Sequence, residues 1–170
     1  MATDPNGCIG KDGALPWNYP EEFQHFLSTT KGHVMIMGRK SYLDNPPDHL
    51  KNTLPIVFTR DKANPVFHNT EHKVIAVSTI EELLQELSKL ADRTIYFIGG
   101  SELAKVFFNE NLLSEFTLTE IHQRYAGDCY LDLQPMRVWE RQVLKTNNDF
   151  TVFRVVNPSP RTEYRLLNNA

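Results

Sequence analysis

The sequence predicts an α/β domain built around a mostly parallel sheet, and two patterns along the chain indicate it. Short apolar runs rich in β-branched residues alternate with segments of helical periodicity, which is typical of strands joined by helical crossovers. The last third of the chain carries longer strands with partial alternation, so we expect an antiparallel edge there. A length of 170 residues suffices for one domain with a hydrophobic core.

The composition argues against several function classes. A net charge of -3 gives no reason to expect a nucleic-acid or anionic-membrane partner. The two cysteines, Cys8 and Cys129, indicate neither a disulfide framework nor a thiolate metal site, and the histidines form no HExxH motif, so no metal is expected. The N-terminus has no leader pattern, and no apolar run approaches about 18 residues. We therefore expect a soluble, cytoplasmic domain that binds a small molecule.

The first two thirds of the chain predict most of the helices and the parallel strands. A first helix begins near Pro20, after a loop punctuated by glycines. Short helices are expected after Gly38 and Gly100, and the clearest helix over 78–91, where Ser78 and Glu81 form a capping box. Nearly continuous apolar runs predict buried strands at 34–37, 56–59, 74–77 and 94–98.

The C-terminal third predicts the antiparallel edge. Strands are expected at 115–122, 139–145 and 150–156, with a turn at 147–149 between the last two. From Asn157 onward the pattern weakens, and Pro158 and Pro160 predict a loosely held tail.

One carboxylate in the opening run is a candidate for chemistry. Glu22, Phe26 and Thr30 follow one another at four-residue steps, which places them on one helix face shortly after Trp17. An acid among aromatic side chains suits a site for a flat, polar ring. Spacing alone favours the simpler interpretation, in which Glu22 is an acidic residue stabilised by the dipole of a helix N-terminus.

Two glycine turns follow predicted strands and are candidates for binding phosphate. Gly38 leads into Arg39, Lys40 and Ser41, and Gly99-Gly100 leads into Ser101 and Glu102. Neither turn matches GxGxxG or a P-loop, and a signal of this kind taken singly is more often a plain turn. At the carboxyl ends of adjacent strands, however, two such turns favour a dinucleotide crevice.

Two strand residues are weaker candidates. Arg60 follows a strand end and offers a further cation for an extra ribose phosphate, or it is a solvated charge. Thr119 either orients a carboxylate or is simply a good strand former.

These residues together resemble the dihydrofolate reductase family, over about residues 2–156. The blocks that carry the resemblance are Cys8-Ile9-Gly10, Leu15-Pro16-Trp17, Glu22, Phe26, Thr30, 36–42, 56–60, 98–100, 118–121, Gly127-Asp128 and Trp139-Glu140. This many blocks, in the same order and at compatible spacing, are hard to obtain by chance. The resemblance therefore favours Glu22 as an active-site acid over a residue that only stabilises the helix N-terminus. It implies one α/β domain over 1–156 with a tail over 157–170. The domain has a mixed, mostly parallel eight-stranded sheet, four flanking helices and an antiparallel C-terminal edge.

The resemblance also implies the activity and the roles of individual residues. It implies hydride transfer from NADPH to 7,8-dihydrofolate, giving 5,6,7,8-tetrahydrofolate for one-carbon metabolism. Glu22 is expected to bind the pterin and to assist a protonation relayed by water, with Trp17 holding the water and Thr119 orienting the acid. Substrate contacts are expected from Ala2, Phe26, Lys51 and Thr53.

The implied cofactor residues fall into two groups. Ile9 and Gly10 belong to the loop 6–17, which is expected to close over the nicotinamide and to contact Asp128. The phosphates are expected to be held from the glycine turns and strand ends. These residues are Gly38, Arg39, Lys40, Ser41, Thr59, Arg60, Ile98, Gly99, Gly100, Ser101 and Glu102.

The sequence departs from the family pattern at three places. Only Met1, Ala2 and Thr3 precede Asp4, so about five residues of the family's first central strand are expected to be missing. Three explanations stay open: the chain starts late, the remaining residues suffice, or the tail after Asn157 compensates. The family arginine expected to bind the glutamyl carboxylate falls on Thr53, and Lys51 offers only a point charge instead. The aromatic hydroxyl expected after the paired glycines falls on Ala104.

These departures keep two alternatives open. One is a reductase of the same fold acting on a tail-less pterin or on a pyrimidine precursor of riboflavin, which Thr53 favours. The other is a non-catalytic protein that binds NADPH, which the short start and Ala104 favour. We expect a monomer with a small-molecule substrate and no nucleic-acid or membrane partner.

Overall fold

The computed structural model describes residues 1–45, 47–68, 73–90 and 92–161, arranged as ten strands and five helices. They are β1 Ala2–Thr3, β2 Cys8–Gly10, α1 Pro20–Thr30, β3 Val34–Gly38, α2 Arg39–Asp44, α3 Pro47–Leu50, β4 Leu54–Phe58, β5 Ile75–Val77, α4 Ile80–Leu87, β6 Ile95–Gly99, α5 Ser101–Asn109, β7 Glu115–Ile121, β8 Cys129–Tyr130, β9 Glu140–Thr146 and β10 Phe150–Val156. The chain forms two compact units, a first unit of residues 1–24 and 104–161 and a second unit described over residues 25–103. No helix in these described ranges is long and apolar enough to cross a membrane.

The second unit contains a four-stranded sheet that is parallel throughout, in the order β5-β4-β3-β6. Strand β3 lies between two neighbours, and Val34, Met35, Ile36 and Met37 are all buried. All four predicted parallel strands are therefore present within two residues of their predicted ends. Because the strands run the same way, β3, β4 and β6 end at one edge of the sheet, which the glycine turns occupy.

Helix α4 is also present, but its cap differs from the prediction by one residue. Thr79, not Ser78, is the N-cap, and its hydroxyl accepts a hydrogen bond from the Glu82 backbone N–H at 3.2 Å. The reciprocal acid is Glu82, not Glu81, and it accepts the Ser78 N–H at 2.7 Å. Two adjacent hydroxyls and two adjacent acids made both registers possible. The helix ends at Leu87, and the predicted last residue, Ala91, lies outside the described residues.

The first unit contains the predicted antiparallel edge as the sheet β1-β7-β10-β9. Strands β7, β10 and β9 pair antiparallel, and β1 joins β7 in parallel through Ala2 opposite Thr119. With only two residues, β1 is as short as the sequence indicated. The two four-stranded sheets together supply the predicted eight strands, and β2 and β8 form a separate antiparallel pair.

Close backbone packing organises the β2–β8 region of the first unit. The buried Asp4 carboxylate accepts the N–H groups of Asn6 and Cys8, both at 2.8 Å. A Cβ on Gly127 would lie 2.3 Å from the Gly10 carbonyl oxygen and 2.4 Å from the Cys8 sulfur, so no side chain fits there. Neither cysteine forms a disulfide; Cys8 is fully buried, whereas Cys129 is partly exposed.

The prediction of a loosely held tail from Asn157 onward is wrong for residues 157–161. Asn157 is buried, and its amide nitrogen donates to Asn111 Oδ1 at 2.7 Å and to the Leu113 carbonyl at 2.8 Å. The Arg161 N–H donates to the Asn111 carbonyl at 3.0 Å. The prolines correctly indicated that this segment is neither helix nor strand. Hydrogen bonds from side-chain amides hold it in place instead of the backbone hydrogen bonds of a sheet. Residues 162–170 lie outside the described residues.

Candidate active site

Glu22 is a buried carboxylate at the beginning of α1. Only 6% of the residue is exposed, whereas its neighbour Glu21 is exposed. Consecutive helical residues point about 100° apart, so one of these two acids faces solvent while the other is buried. The helix begins at Pro20, which suits a first helical position because its missing N–H needs no partner. The helical geometry therefore buries the carboxylate of Glu22 and leaves that of Glu21 exposed to solvent.

Burial and a hydrogen bond set the chemistry of Glu22. Loss of hydration raises its pKa above the usual value, and the Met1 ammonium and a hydrogen bond from the Thr119 hydroxyl oppose part of that rise. The pKa of Glu21 is instead lowered, chiefly by a hydrogen bond from Lys145. Thr119, the residue predicted to orient Glu22, therefore lies close enough to lower the pKa of that carboxyl. Ala2 lies opposite Thr119 on β1.

A cleft of about 220 Å³ adjoins Glu22 within the first unit. Its walls are formed by Leu15, Trp17, Asn18, Tyr19, Pro20, Glu22, Phe23 and Gln24. Trp17 is buried, and its indole nitrogen has no hydrogen-bond partner among the described residues. A buried donor without a partner is costly, so this N–H is suited to a ligand or a bound water.

Tyr125 completes this region, and the sequence analysis did not identify it. Its ring lies 5.4 Å from the Trp17 ring, centroid to centroid, and its hydroxyl is 2.9 Å from that of Tyr19. The two tyrosines are separated by 106 residues, and no motif or local periodicity connects them. Only the tertiary structure shows this pairing.

The glycine-rich loop is held against the segment that contains Asp128. The Asp12 backbone N–H donates to an Asp128 carboxylate oxygen at 3.0 Å, and the Asp128 N–H donates to the Gly10 carbonyl at 3.0 Å. The loop turns at Asp12 and Gly13, whose φ angles are 52° and 82°. The contact expected between Asp128 and this loop is therefore present, and Ile9 and Gly10 lie in β2 at the beginning of the loop.

In the second unit, the structure brings the two predicted glycine turns together. Met37 pairs with Gly99 across β3 and β6. A Cβ on Gly38 would lie 3.9 Å from the Gly100 nitrogen, and a Cβ on Gly100 would lie 3.3 Å from the Ser41 hydroxyl oxygen. This close packing without side chains leaves backbone N–H groups and a hydroxyl at one sheet edge, which fits a phosphate-bearing cofactor.

The other predicted cofactor residues of the second unit surround that edge. Arg39 and Lys40 begin α2 with exposed side chains, and Ser101 and Glu102 begin α5. Ile98 lies in β6. After β4, the Thr59 hydroxyl accepts the Asp61 N–H at 3.1 Å, which leaves Arg60 exposed between them.

A second cleft, of about 160 Å³, lies wholly within the second unit. It is lined by Leu27, Lys31, Asp48, His49, Asn52 and Thr53. The Thr53 hydroxyl donates to the Leu50 carbonyl at 2.9 Å, and Lys51 forms a long, exposed ion pair with Asp48 at 3.8 Å. Lys51 is not a lining residue, whereas Lys31, which the sequence analysis did not single out, is one. Phe26 packs against the core that contains Met35 and Met37.

The chain matches the family model described as dihydrofolate reductase over residues 1–152. The chain belongs to the dihydrofolate reductase family. The type 8 dihydrofolate reductase of Escherichia coli is 31% identical over 156 residues, which cover 90% of each chain. A dihydrofolate reductase of Lactococcus lactis subsp. lactis is 31% identical over 129 residues, or 76% of this chain and 73% of that protein.

A solved structure of dihydrofolate reductase from Enterococcus faecalis, complexed with NADP(H) and RAB-propyl, has the same fold. Its TM-score is 0.68 at 23% identity, covering 93% of this chain and 94% of that one. The predicted α/β fold class is thereby confirmed. Membership of the family also confirms the predicted enzyme class, activity and cofactor, since dihydrofolate reductases reduce dihydrofolate with NADPH.

Proposed function

We propose that this chain reduces 7,8-dihydrofolate to 5,6,7,8-tetrahydrofolate with Glu22 as the site acid. The observation that carries the proposal is the buried Glu22 carboxylate beside an open cleft. The cleft is walled by Trp17, Tyr19 and Phe23, so a flat heterocycle finds aromatic surface next to a single acid. Family membership gives the reaction, and this geometry supports the proposed residue roles.

Glu22 has two tasks in this mechanism. Its carboxylate accepts hydrogen bonds from the amino group and ring N–H of the pterin, which fixes the ring in the cleft. Its pKa, raised by burial, lies nearer to the working pH than that of an exposed glutamate, so it also favours protonation of the ring. The proton travels through a water molecule held by the Trp17 N–H, the buried donor that has no hydrogen-bond partner among the described residues.

The second unit contributes the residues proposed to hold NADPH. Bound NADPH supplies the hydride. Arg39, Lys40, Ser41 and Arg60 would neutralise its phosphates, and the backbone from Gly99 to Glu102 would approach the pyrophosphate. The loop 6–17 excludes water from the ring while Asp128 holds it in place.

The second cleft favours one further candidate substrate. At this family position the Thr53 hydroxyl already donates to the Leu50 carbonyl, and none of the described residues that line the cleft is an arginine able to bind a glutamyl carboxylate through two hydrogen bonds. The missing guanidinium lowers the binding affinity for dihydrofolate, which carries the glutamyl carboxylate. It does not lower the affinity for a tail-less dihydropterin or a riboflavin-precursor pyrimidine, which lack that group. The chain is then a reductase of the same chemistry with a smaller substrate.

One assay series tests the proposal and separates the two substrates. NADPH oxidation is followed with dihydrofolate and with a tail-less dihydropterin, for the wild type, for Glu22→Gln and for Glu21→Gln. We expect Glu22→Gln to lower kcat/KM by about 10²-fold or more, because it abolishes the acid while keeping the side-chain shape. Glu21→Gln, the adjacent exposed residue, serves as the matched control and should change kcat/KM less than about twofold.

Two results would contradict these assignments. Equal effects of the two substitutions would remove Glu22 from its role. A preference for the tail-less substrate of about tenfold or more in kcat/KM would replace dihydrofolate by the second candidate.

We further propose that the enzyme works as a cytoplasmic monomer without a nucleic-acid or membrane partner. The net charge of -3 supports the part of this proposal that concerns nucleic acid. Light scattering coupled to gel filtration tests it, and a mass near twice 19.6 kDa would contradict it.

A further inference from the structure

Trp17 is enclosed by two tyrosines that belong to none of the motifs shared with the family. Tyr19 follows it by two residues, and Tyr125 lies on the segment after β7. The Tyr125 ring tilts by 57° over the Trp17 ring, and the hydroxyls of the two tyrosines are hydrogen-bonded at 2.9 Å. The chain therefore closes a small ring of contacts from Trp17 through Tyr19 and Tyr125 back to Trp17.

Tyr125 is itself fixed at both ends. Its backbone N–H donates to the second carboxylate oxygen of Asp4 at 2.9 Å. Asp4 is fully buried, and its first oxygen is bound by the N–H groups of Asn6 and Cys8. With the backbone tied to Asp4 and the hydroxyl tied to Tyr19, the ring of Tyr125 has little freedom to move.

Trp17, in contrast, lacks any hydrogen bond from its own side chain among the described residues. Its orientation depends on packing against Ile121, Phe150, Val152 and the two tyrosines. Packing against a fixed ring therefore determines where the Trp17 N–H points. A small displacement of a group that positions a reactant has a large effect on rate, because the geometry of proton transfer is narrow.

We propose that Tyr125, through its hydroxyl bond to Tyr19, is a positioning residue that aims the Trp17 N–H at the water from which the substrate ring is protonated. This inference rests on the proposed function. The hydrogen bond to Tyr125 and burial raise the pKa of Tyr19 to about 12, so Tyr19 stays protonated throughout an assay between pH 5 and pH 9. A pH effect of removing the pair therefore does not come from ionisation of Tyr19.

The substitution Tyr125→Phe removes the hydroxyl and keeps the ring that packs on Trp17. We expect kcat at pH 8 to fall about five- to tenfold, with the KM for NADPH within about twofold of the wild type. The alkaline limb of the pH profile should move to lower pH, and the solvent deuterium isotope effect on kcat should rise, because proton delivery becomes more limiting. Tyr19→Phe should act the same way, and the double variant should lose no more than either single variant.

A matched control removes a tyrosine hydroxyl elsewhere in the first unit. Among the described residues, the Tyr130 hydroxyl bonds to Gly127 alone, donating to its carbonyl at 3.0 Å and accepting its N–H at 3.2 Å. Tyr130→Phe should leave the position of the pH profile unchanged. If Tyr125→Phe also leaves the profile unchanged and only lowers Tm, Tyr125 is merely structural and the inference is overturned.

A spectroscopic readout separates this inference from the proposed function. The chain contains two tryptophans, so Trp139→Phe leaves Trp17 as the only one. In that background, Tyr125→Phe should increase quenching of Trp17 fluorescence by acrylamide, and unchanged quenching contradicts the proposal. Absence of dihydrofolate turnover in the wild type would reject the proposed function, and quenching alone would then decide whether Tyr125 holds Trp17.

Discussion

The cleft beside Glu22 in the first unit and the cleft beside Thr53 in the second both present charged side chains to a ligand, but in opposite states of hydration. Glu22 is 6% exposed and hydrogen-bonded by Thr119, so its pKa and its orientation are set by the protein. Asp48 lines the second cleft, and 88% of its side chain is exposed. Its ion-pair partner Lys51, which does not line the cleft, has 67% of its side chain exposed. Solvated charges of this kind contribute little to binding or stability. On the proposed assignment of the ring to the first cleft and the tail to the second, ring binding would rest on a buried acid and tail binding on solvated charges.

The first cleft is most sharply tested by removing the partner of its acid. Thr119→Val keeps the shape of the side chain but removes the hydrogen bond to Glu22. Because hydrogen bonds to charged groups contribute about 1.5–3 kcal/mol, we expect kcat/KM to fall by roughly ten- to a hundredfold. Steady-state kinetics with dihydrofolate measures this, with Thr117→Val on the same strand as control. A change below twofold would show that Glu22 is oriented without Thr119.

Adding an arginine to the second cleft should make it specific for the glutamyl carboxylate of the substrate. Thr53→Arg introduces a guanidinium that can bind the glutamyl carboxylate in two parallel hydrogen bonds. We expect the KM for dihydrofolate to fall about five- to tenfold, with no change for a tail-less dihydropterin. Thr53→Lys, a point charge, should give a smaller gain. An equal improvement for both substrates would mean that the residue does not meet the tail.

The two adjacent glutamates of α1 predict opposite pH effects on stability. Because burial raises the pKa of Glu22, its favourable contribution is present below the unfolded pKa of about 4.3 and is lost as the pH rises through the folded pKa. Glu22→Gln should therefore have a higher Tm than the wild type at pH 7, and the difference should vanish near pH 4.

Glu21 should behave in the opposite sense, because Lys145 lowers its pKa. Its contribution is present above the unfolded pKa and is lost as the pH falls through the folded pKa. Glu21→Gln should therefore lower Tm slightly at pH 7 and not at pH 3. Thermal unfolding monitored by circular dichroism measures both variants, and shifts of the same sign would contradict the assignment of burial to Glu22 alone.

The smallest effect is expected where both partners are solvated. Lys51→Ala breaks the exposed pair with Asp48, and the KM for dihydrofolate should change less than about twofold. Lys31→Ala, at a residue that lines the cleft, should raise that KM more. The reverse order would identify Lys51 as the cation that binds the tail.

Local patterns predicted the parts of this molecule that depend on neighbours in sequence. Apolar runs located β3 to β6, and strand-then-glycine signals placed Gly38 and Gly100 at one edge because parallel strands end together. Helical spacing placed Glu22, Phe26 and Thr30 on one face, but the family resemblance was needed to favour Glu22 as the site acid. The cap of α4 was predicted one residue early because Ser78-Thr79 and Glu81-Glu82 offer the same chemistry in two registers.

Long-range pairings were beyond the reach of such patterns. The Tyr19–Tyr125 bond joins residues 106 positions apart, and the amide of Asn157 fastens a segment that its prolines made to look loose. Neither interaction has a periodicity or a spacing that marks it. Both depend on side chains that meet only when the sheet of the first unit has formed.

The packing of Gly127 against Cys8 has a practical consequence for watching this enzyme at work. Cys8 is fully buried beneath a position that tolerates no side chain, whereas Cys129, next to Asp128, is partly exposed. A maleimide dye should therefore modify the native protein at a single thiol, without any engineered cysteine. The label would report, by its emission, the opening and closing of the loop that Asp128 holds.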